Sequence, residues 1–473
     1  MSENNFRYIS DERPLMEFPA LMILGIIFIS FCVAFSVLFL PWHLSLFLFL
    51  GLCLSIIVFL NLYIGIIIFF IGAFFHPTYW FPQLEAFYPA RILAFGILFI
   101  WAFHVIVFRD FKIVKAPQNY FIIIFMGLAF ISSLRNFDFI FPFFLEFSIK
   151  ALVLYFAISN LVKTREQVIS LVWVLVIINI ILCFIGLYEY AHGIGDVEAG
   201  ILRISGLAEE SNIFAMDLTI ALPLALGLFF AYRKQLILKM FLGAIIFIFV
   251  LTTIFTFSRA GLLQLIVVFL LSFWYKFFKK KKIQAILVGA LLVLAVTPFV
   301  PVRYWDRARS MSNFSDPSIQ RRLVGWVSGT RMMLENPIKG VGYGMHRYAF
   351  LDYAMEHGYI GSPYYTEPLD AHSIYIQTGS ELGIVGLTFL LLLIIWTFKY
   401  LRKANRIFRK RNMLLLAELS LALQISMVSY LIASAFLSLL HLLIFWILIP
   451  LSVVMYQLAV QYEASEIVAH KEN

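Results

Sequence analysis

His372 stands in Asp370-Ala371-His372-Ser373-Ile374-Tyr375, where a long polar stretch gives way to an apolar one. An unperturbed imidazole, with a pKa near ~6.5, is largely neutral at physiological pH and can take a proton from a hydroxyl group. His372 is therefore the candidate general base. Three arginines are the candidate anion ligands, because a guanidinium is a forked donor of permanent charge. Arg259 lies in Phe257-Ser258-Arg259-Ala260-Gly261, a short turn between two apolar runs. It reads either as a helix-end arginine with a snorkelling side chain or as an anion ligand. Arg203 opens a polar stretch in which Glu209 and Glu210 offer local neutralisation as the competing reading. Arg322 falls one helical turn before Trp326, at the edge of an amphipathic segment, with Arg321 on the other side. Gly340-Val341-Gly342-Tyr343-Gly344 matches neither the dinucleotide fingerprint nor the phosphate loop of ATPases. It is a flexible turn or a place where backbone comes close to a ligand. His346 and His357 share this region, but their spacing fits no zinc signature, so no metal is expected.

Composition limits the scaffold that positions these groups. The chain has 473 residues, 62% hydrophobic and 13% charged, against about 45–50% and about 25% in a soluble domain. Its mean hydropathy is +0.92. Such a chain cannot cover a globular surface with polar groups, which excludes soluble enzymes, secreted disulfide scaffolds and disordered regulators. Runs such as Ile283 to Val300 are near-continuously apolar and lack the alternation of barrel strands. Each must satisfy its own backbone as a helix. The expected fold is all-α, a polytopic membrane bundle of roughly 12–14 spans. Candidate runs lie near 20–40, 42–59, 61–75, 92–108, 119–134, 146–160, 167–188, 213–232, 240–257, 261–275, 283–299, 382–398, 413–437 and 440–459. Cys32, Cys53 and Cys183 all fall inside such runs and read as small packing residues. Glu146 and Lys150, four residues apart at a span entrance, read as an ion pair. Three regions follow: an N-terminal transmembrane bundle at 1–299, a large outward loop at 300–380, and C-terminal transmembrane helices with a tail at 381–473.

Lys and Arg in short loops set orientation. One set of loops carries Lys163 and Arg165, then Arg233 and Lys234, then Lys279–Lys282, then Arg402 to Arg411, whereas the alternate loops hold little beyond Arg91, Arg135, Arg203 and Arg259. The basic set faces the cytoplasm, so both termini do too and the 300–380 loop faces outward. The net charge of +9 is thus spent on topology and contact with anionic lipid, not on nucleic acid. Within the loop, Ser315-Asp316-Pro317 starts a helix and Asn336-Pro337 ends it. Ile319, Leu323, Trp326, Thr330 and Met333 form its apolar stripe, turned toward the membrane or the bundle. Ser211 or Asn212 reads as the N-cap of the span that follows.

Arg203 with Gly206 and Asn212, Ser258-Arg259-Ala260-Gly261, Arg322-x-x-x-Trp326, Asn336-Pro337-x-x-Gly340-x-Gly342, His372-Ser373-x-Tyr375 and Glu381-x-Gly383 occur in one order on this topology. Together they resemble the O-antigen ligase and polymerase family of bacterial envelope glycosyltransferases, over residues 200–400 in motifs and over the whole chain in hydropathy. The resemblance implies a multi-pass enzyme of the bacterial inner membrane, with its site on the periplasmic side. It implies an undecaprenyl-diphosphate-linked glycan as donor, and as acceptor a lipid A-core, a growing polysaccharide or a protein side chain. It assigns His372 as the catalytic histidine and Arg203, Arg259 and Arg322 as diphosphate ligands. Ser258, Trp326, Gly340, Gly342, Ser373 and Tyr375 take supporting places, with no cofactor. Ser373 departs from the asparagine frequent in the family at that position.

The chemistry agrees. Outside the cytoplasmic membrane there is no nucleotide sugar, so a synthetic enzyme needs a pre-activated donor. A lipid diphosphate is one, because its leaving group is a stable anion that needs cationic stabilisation and no general acid. The acceptor hydroxyl needs a base, an effect of roughly 10²–10⁴-fold. Displacement at the anomeric carbon would invert it. Polymerase and protein-glycosylating activities remain open within the family. The competing class, a transporter or flippase of lipid-linked or anionic cargo, should instead place its cations near the bilayer midplane, in interrupted helices.

Overall fold

The computed structural model describes residues 61–75, 113–134, 138, 140–198, 201–208, 210–277, 317–355, 368–438, 440 and 442–471, with residue 96 and scattered positions between 31 and 58. The run near 283–299, most of those near 20–40, 42–59 and 92–108, Arg91, Arg135, Lys279–Lys282, His357 and the side chain of Glu146 lie outside the described residues. Residues 1–64 and 65–473 form two compact units, and the second carries every element considered below except the start of α1.

The described residues form an all-α membrane protein. Its helices are α1 Leu62–Phe75, α2 Pro117–Ser133, α3 Ile140–Leu161, α4 Arg165–His192, α5 Ser211–Ala231, α6 Leu236–Phe255, α7 Arg259–Phe277, α8 Pro317–Glu335, α9 His346–Met355, α10 Ile374–Lys410, α11 Leu414–Ser434 and α12 Leu443–Lys471. Six of them (α4, α5, α6, α10, α11 and α12) are long and apolar enough to cross a bilayer. Apolar side chains such as Ile237, Ile131 and Phe184 stay exposed on their outer faces, as hydrocarbon permits and water does not.

Local signals fix the helix ends. Thr164 and Gln167 form a capping box at the start of α4, and Gly193 closes its other end in the left-handed conformation. Between α4 and α5 lies a small antiparallel hairpin, β1 Asp196–Glu198 and β2 Ile201–Arg203, in which Asp196 is opposite Arg203. The N-cap of α5 is Glu210, whose side chain makes no capping bond. The expected cap at Ser211 or Asn212 is therefore corrected: both lie inside the first turn, and the Asn212 side chain is engaged elsewhere.

Short connections make α5, α6 and α7 successive antiparallel neighbours, and the Arg203–Thr256 bond puts the α4–α5 hairpin at the same end of the bundle as the α6–α7 turn. Lys163, Arg165, Arg233 and Lys234 lie at the opposite end. Between the helices, small and hydroxyl residues bring backbones close, as expected where lipid supplies no hydrophobic drive. Thr219 Oγ1 on α5 and Ser429 Oγ on α11 both donate to Gln264 Oε1 on α7, at 2.6 and 3.1 Å. Ser426 Oγ donates to the Ile220 carbonyl at 2.7 Å.

α10 is two helices in one. Gly383 interrupts it at φ 68°, ψ −170°, separating a segment that starts at Ile374 from the long span that runs to Lys410. This agrees with a span beginning near residue 382. α8 occupies the expected stretch, but its buried face is not the expected stripe. Ile319, Trp326, Thr330 and Met333 are only half-buried and Leu323 is exposed, while Val324, Gly325, Ser328, Gly329 and Met332 face inward. Glycine and serine contribute nothing to an apolar stripe, yet they let this helix approach its neighbours most closely.

Candidate functional site

The first group of candidate residues gathers around Arg203. This residue ends β2, is 7% exposed, and is held along its length. Its Nε donates to the Thr256 carbonyl at 3.0 Å and its Nη2 to Asn212 Oδ1 at 2.9 Å. Ser258 Oγ donates to the same Asn212 oxygen at 2.9 Å and accepts from the Gly261 amide at 3.2 Å, capping α7. Arg259 is the next residue, the first of α7, and is half-buried. The structure thus brings Arg203, Ser258 and the start of Arg259 to one place. The α4–α5 connection is also pinned from below, because the Gly206 amide donates to Glu189 Oε2 at 2.9 Å. Phe257, just before this turn, has φ +50°, a strained value for a bulky residue.

The second group surrounds His372, which also has a positive φ, +45°. Its half-buried ring makes no hydrogen bond among the described residues. Burial and the nearby Arg322 and Arg321 charges hold its pKa below the ordinary histidine value, against the opposing pull of Asp370. Arg322 is half-buried and Arg321 exposed, as the helical spacing implied. α8 reaches this segment through its glycines: a methyl group on Gly325 would lie 3.0 Å from the Asp370 carbonyl oxygen. A methyl group on Gly329 would lie 2.5 Å from Ile376 Cγ2 and 2.8 Å from His346 Cε1.

Beneath lies a backbone clasp. The Val341 amide donates to the Ser380 carbonyl at 2.8 Å, the Gly342 amide to the Glu381 carbonyl at 3.1 Å, and the Ile384 amide to the Pro337 carbonyl at 2.7 Å. Gly340, at φ +64°, presses directly on the Ser380–Glu381 backbone, and Gly383 presses on Pro337 in return. Gly340 and Gly342 therefore do approach something closely, namely the broken backbone of α10. The Glu381 side chain, 4% exposed, receives Gln377 Nε2 at 3.3 Å and faces the amides of Gly344 and His346 at the start of α9. His346 is 2% exposed. Its Nδ1 is 2.8 Å from Ser380 Oγ, whose own proton goes to the Gln377 carbonyl at 3.0 Å, so Nδ1 carries the donated hydrogen. Burial and the neighbouring His372 lower its pKa to about 4, which keeps it neutral.

The remaining candidates sit around this frame. Ser373 is the buried N-cap of α10 and its side chain makes no capping bond. Tyr375 OH donates to the Leu431 carbonyl at 3.2 Å, and Trp326 lies 6.2 Å from Phe436 between ring centroids. Both contacts are to the C-terminal end of α11 and the residues just beyond it. The Ser429–Gln264 bond ties the same end of α11 to α7, five residues past Arg259. The His372 group and the Arg203–Arg259 group thus occupy the same end of the bundle, away from Arg409, Lys410 and Arg411. Sequence reasoning missed the roles of Asn212, Ser380, Glu381 and His346. Asn212 and Glu381 did stand in the ordered motif set, and Glu381 gave a further signal as a carboxylate at the mouth of an apolar run.

Residues 243–391 match the family described as O-Antigen ligase. The matched segment contains Arg259, the whole of α8 and α9, the clasp and His372, while Arg203 and Asn212 lie ahead of it. A Rickettsia felis protein named "Putative polysaccharide ligase" is 31% identical over 93 residues, 20% of this chain and 22% of its own length. The chain thus spans about a fifth of the curated relative it matches. The family match falls on the segment that carried most of the motif resemblance.

Proposed function

We propose that this protein is a membrane glycosyltransferase of the O-antigen ligase type, which moves a glycan from an undecaprenyl-diphosphate carrier to an acceptor hydroxyl. The observation that carries the reading is the His372 imidazole beside Arg322, which makes no hydrogen bond among the described residues, inside the matched segment and at the same bundle end as Arg203 and Arg259. That end faces the periplasm of the inner membrane, since the basic loops take the cytoplasmic side together with both termini.

In this reading Arg203, Arg259 and Arg322 hold the donor diphosphate and stabilise the charge that grows on it as the glycosidic bond breaks. Lowered basicity leaves His372 neutral, so it accepts the proton of the acceptor hydroxyl as that oxygen attacks the anomeric carbon from the opposite face. The sugar inverts, the lipid diphosphate leaves as an anion, and guanidinium groups supply the cationic stabilisation without a metal. The acceptor is a lipid A-core sugar, a polysaccharide end or a protein side chain, all of which present the same hydroxyl.

The test is glycan transfer in liposomes from an undecaprenyl-diphosphate-linked donor. His372→Ala should accumulate in the membrane like the parent chain and lose transfer by ~10²-fold or more. Transfer at the parent rate would overturn the assignment.

A further inference from the structure

The Arg203 group contains a residue whose usual employment is elsewhere. Asparagine at the start of a helix ordinarily serves as its cap from the position before the first turn, yet Asn212 lies inside that turn and α5 starts without any side-chain cap. Asn212 instead gives its carbonyl oxygen to two donors from two other elements, Arg203 Nη2 on β2 and Ser258 Oγ before α7, each at 2.9 Å. A guanidinium only donates, so the atom facing it is the amide oxygen and the orientation of the carboxamide is settled. The Ser258 hydroxyl spends its proton on Asn212 and its lone pair on the Gly261 amide. One carboxamide thereby joins the hairpin that carries Arg203 to the turn that carries Arg259.

We propose that Asn212 is the positioning residue of the donor site: it sets Arg203 and the Ser258-Arg259 turn into one cationic cradle while adding no charge of its own. The proposal rests on the reading of these arginines as diphosphate ligands. An aspartate has the same shape and would hold both donors more tightly, since hydrogen bonds to an ionised acceptor are stronger. It would also place a carboxylate against the guanidinium that must meet an anion. The neutrality of the amide is what a purely structural tether would not require.

The experiment uses that difference, with the full chain in liposomes and an undecaprenyl-diphosphate-linked glycan as donor. Asn212→Asp should accumulate and unfold no more easily than the parent, yet its KM for the donor should rise at least ~10-fold, with kcat changed less. Asn212→Leu, which cannot accept either bond, should raise KM and also lower the unfolding temperature. A parent-like KM in Asn212→Asp overturns the proposal. Arg203→Ala, measured alongside, separates the two claims. If it raises KM while Asn212→Asp does not, only the role of Asn212 fails. If it leaves KM unchanged, the donor-site reading beneath it fails.

Discussion

A single methyl group on Gly340 probes whether the loop after α8 is held by α10 in the way the structure shows. At φ +64° an alanine pays roughly 1–2 kcal/mol in backbone strain. Its Cβ would also sit 2.5 Å from the Ser380 carbonyl oxygen and closer still to the Glu381 backbone, which cannot give way as a side-chain tip would. The loop must lift, losing the Val341 and Gly342 amide bonds to Ser380 and Glu381, each about 0.5–1.5 kcal/mol. Local release should therefore become easier by about 2–5 kcal/mol, or roughly 300-fold at the middle of that range. Amide hydrogen exchange in detergent would show it as loss of protection at residues 341 and 342, while α4 and α5 keep theirs. Transfer should fall with it, because lifting the loop moves His346 away from Ser380. Gly127→Ala is the control: nothing lies within 4 Å of a methyl group there, and a helical alanine should be neutral or slightly stabilising. Parent-like protection and transfer in Gly340→Ala would refute the clasp.

Arg203→Lys should raise the donor KM by ~10-fold or more, because an ammonium cannot make the Nε bond to Thr256 and the Nη2 bond to Asn212 together; steady-state kinetics checks this. The acid limb of kcat/KM should lie below pH 6.5, since His372 stays neutral to lower pH than an ordinary histidine, and Arg322→Gln should move it upward by removing one depressing charge. A limb that stays put or moves down would contradict this. His346 has a folded-state pKa of about 4 against 6.5 for the free side chain, so its neutral burial stabilises fully above pH 6.5 and is lost as pH falls toward about 4. Thermal unfolding should weaken over that window, and His346→Gln should flatten the slope.

The helices were legible because hydrocarbon demands long uninterrupted runs, and the bounds of α4 to α7 and α10 to α12 fall within a few residues of the runs that foretold them, apart from the N-terminal start of α10 and the C-terminal extensions of α10 and α12. The ends of α8 were legible for another reason: Pro317 and Asn336-Pro337 punctuate a chain wherever they occur. Its buried face was not, because the pattern was read by hydrophobicity and the packing was decided by Gly325 and Gly329. The hairpin before α5 escaped notice because three-residue strands carry too little alternation to be seen. For Gly340 and Gly342 the sequence showed that something must come close, and only the structure shows that it is the break in α10. Asn212 was misread because capping is local chemistry and its real partners lie 9 and 46 residues away.

The same distinction explains the site. His372 and Arg259 were nameable from residue type and position, but what makes them unusual is backbone. Phe257 and His372 both hold positive φ, and apart from Asn412, a residue type that tolerates it, they are alone in this among the described non-glycine residues. Each such residue costs of order 1–3 kcal/mol and persists only where its surroundings over-determine it. At Phe257 the surroundings are the Thr256–Arg203 and Ser258–Asn212 bonds on either side. At His372 they are α8, seated against Asp370 and Ala371 at Gly325, and the buried start of α10 that the clasp below anchors. Small residues therefore do more here than fill space. A methyl group on Gly325 would already crowd the Asp370 carbonyl oxygen at 3.0 Å and push helix and segment apart by a few tenths of an ångström, and a larger side chain there would separate the cation further from the base it now adjusts.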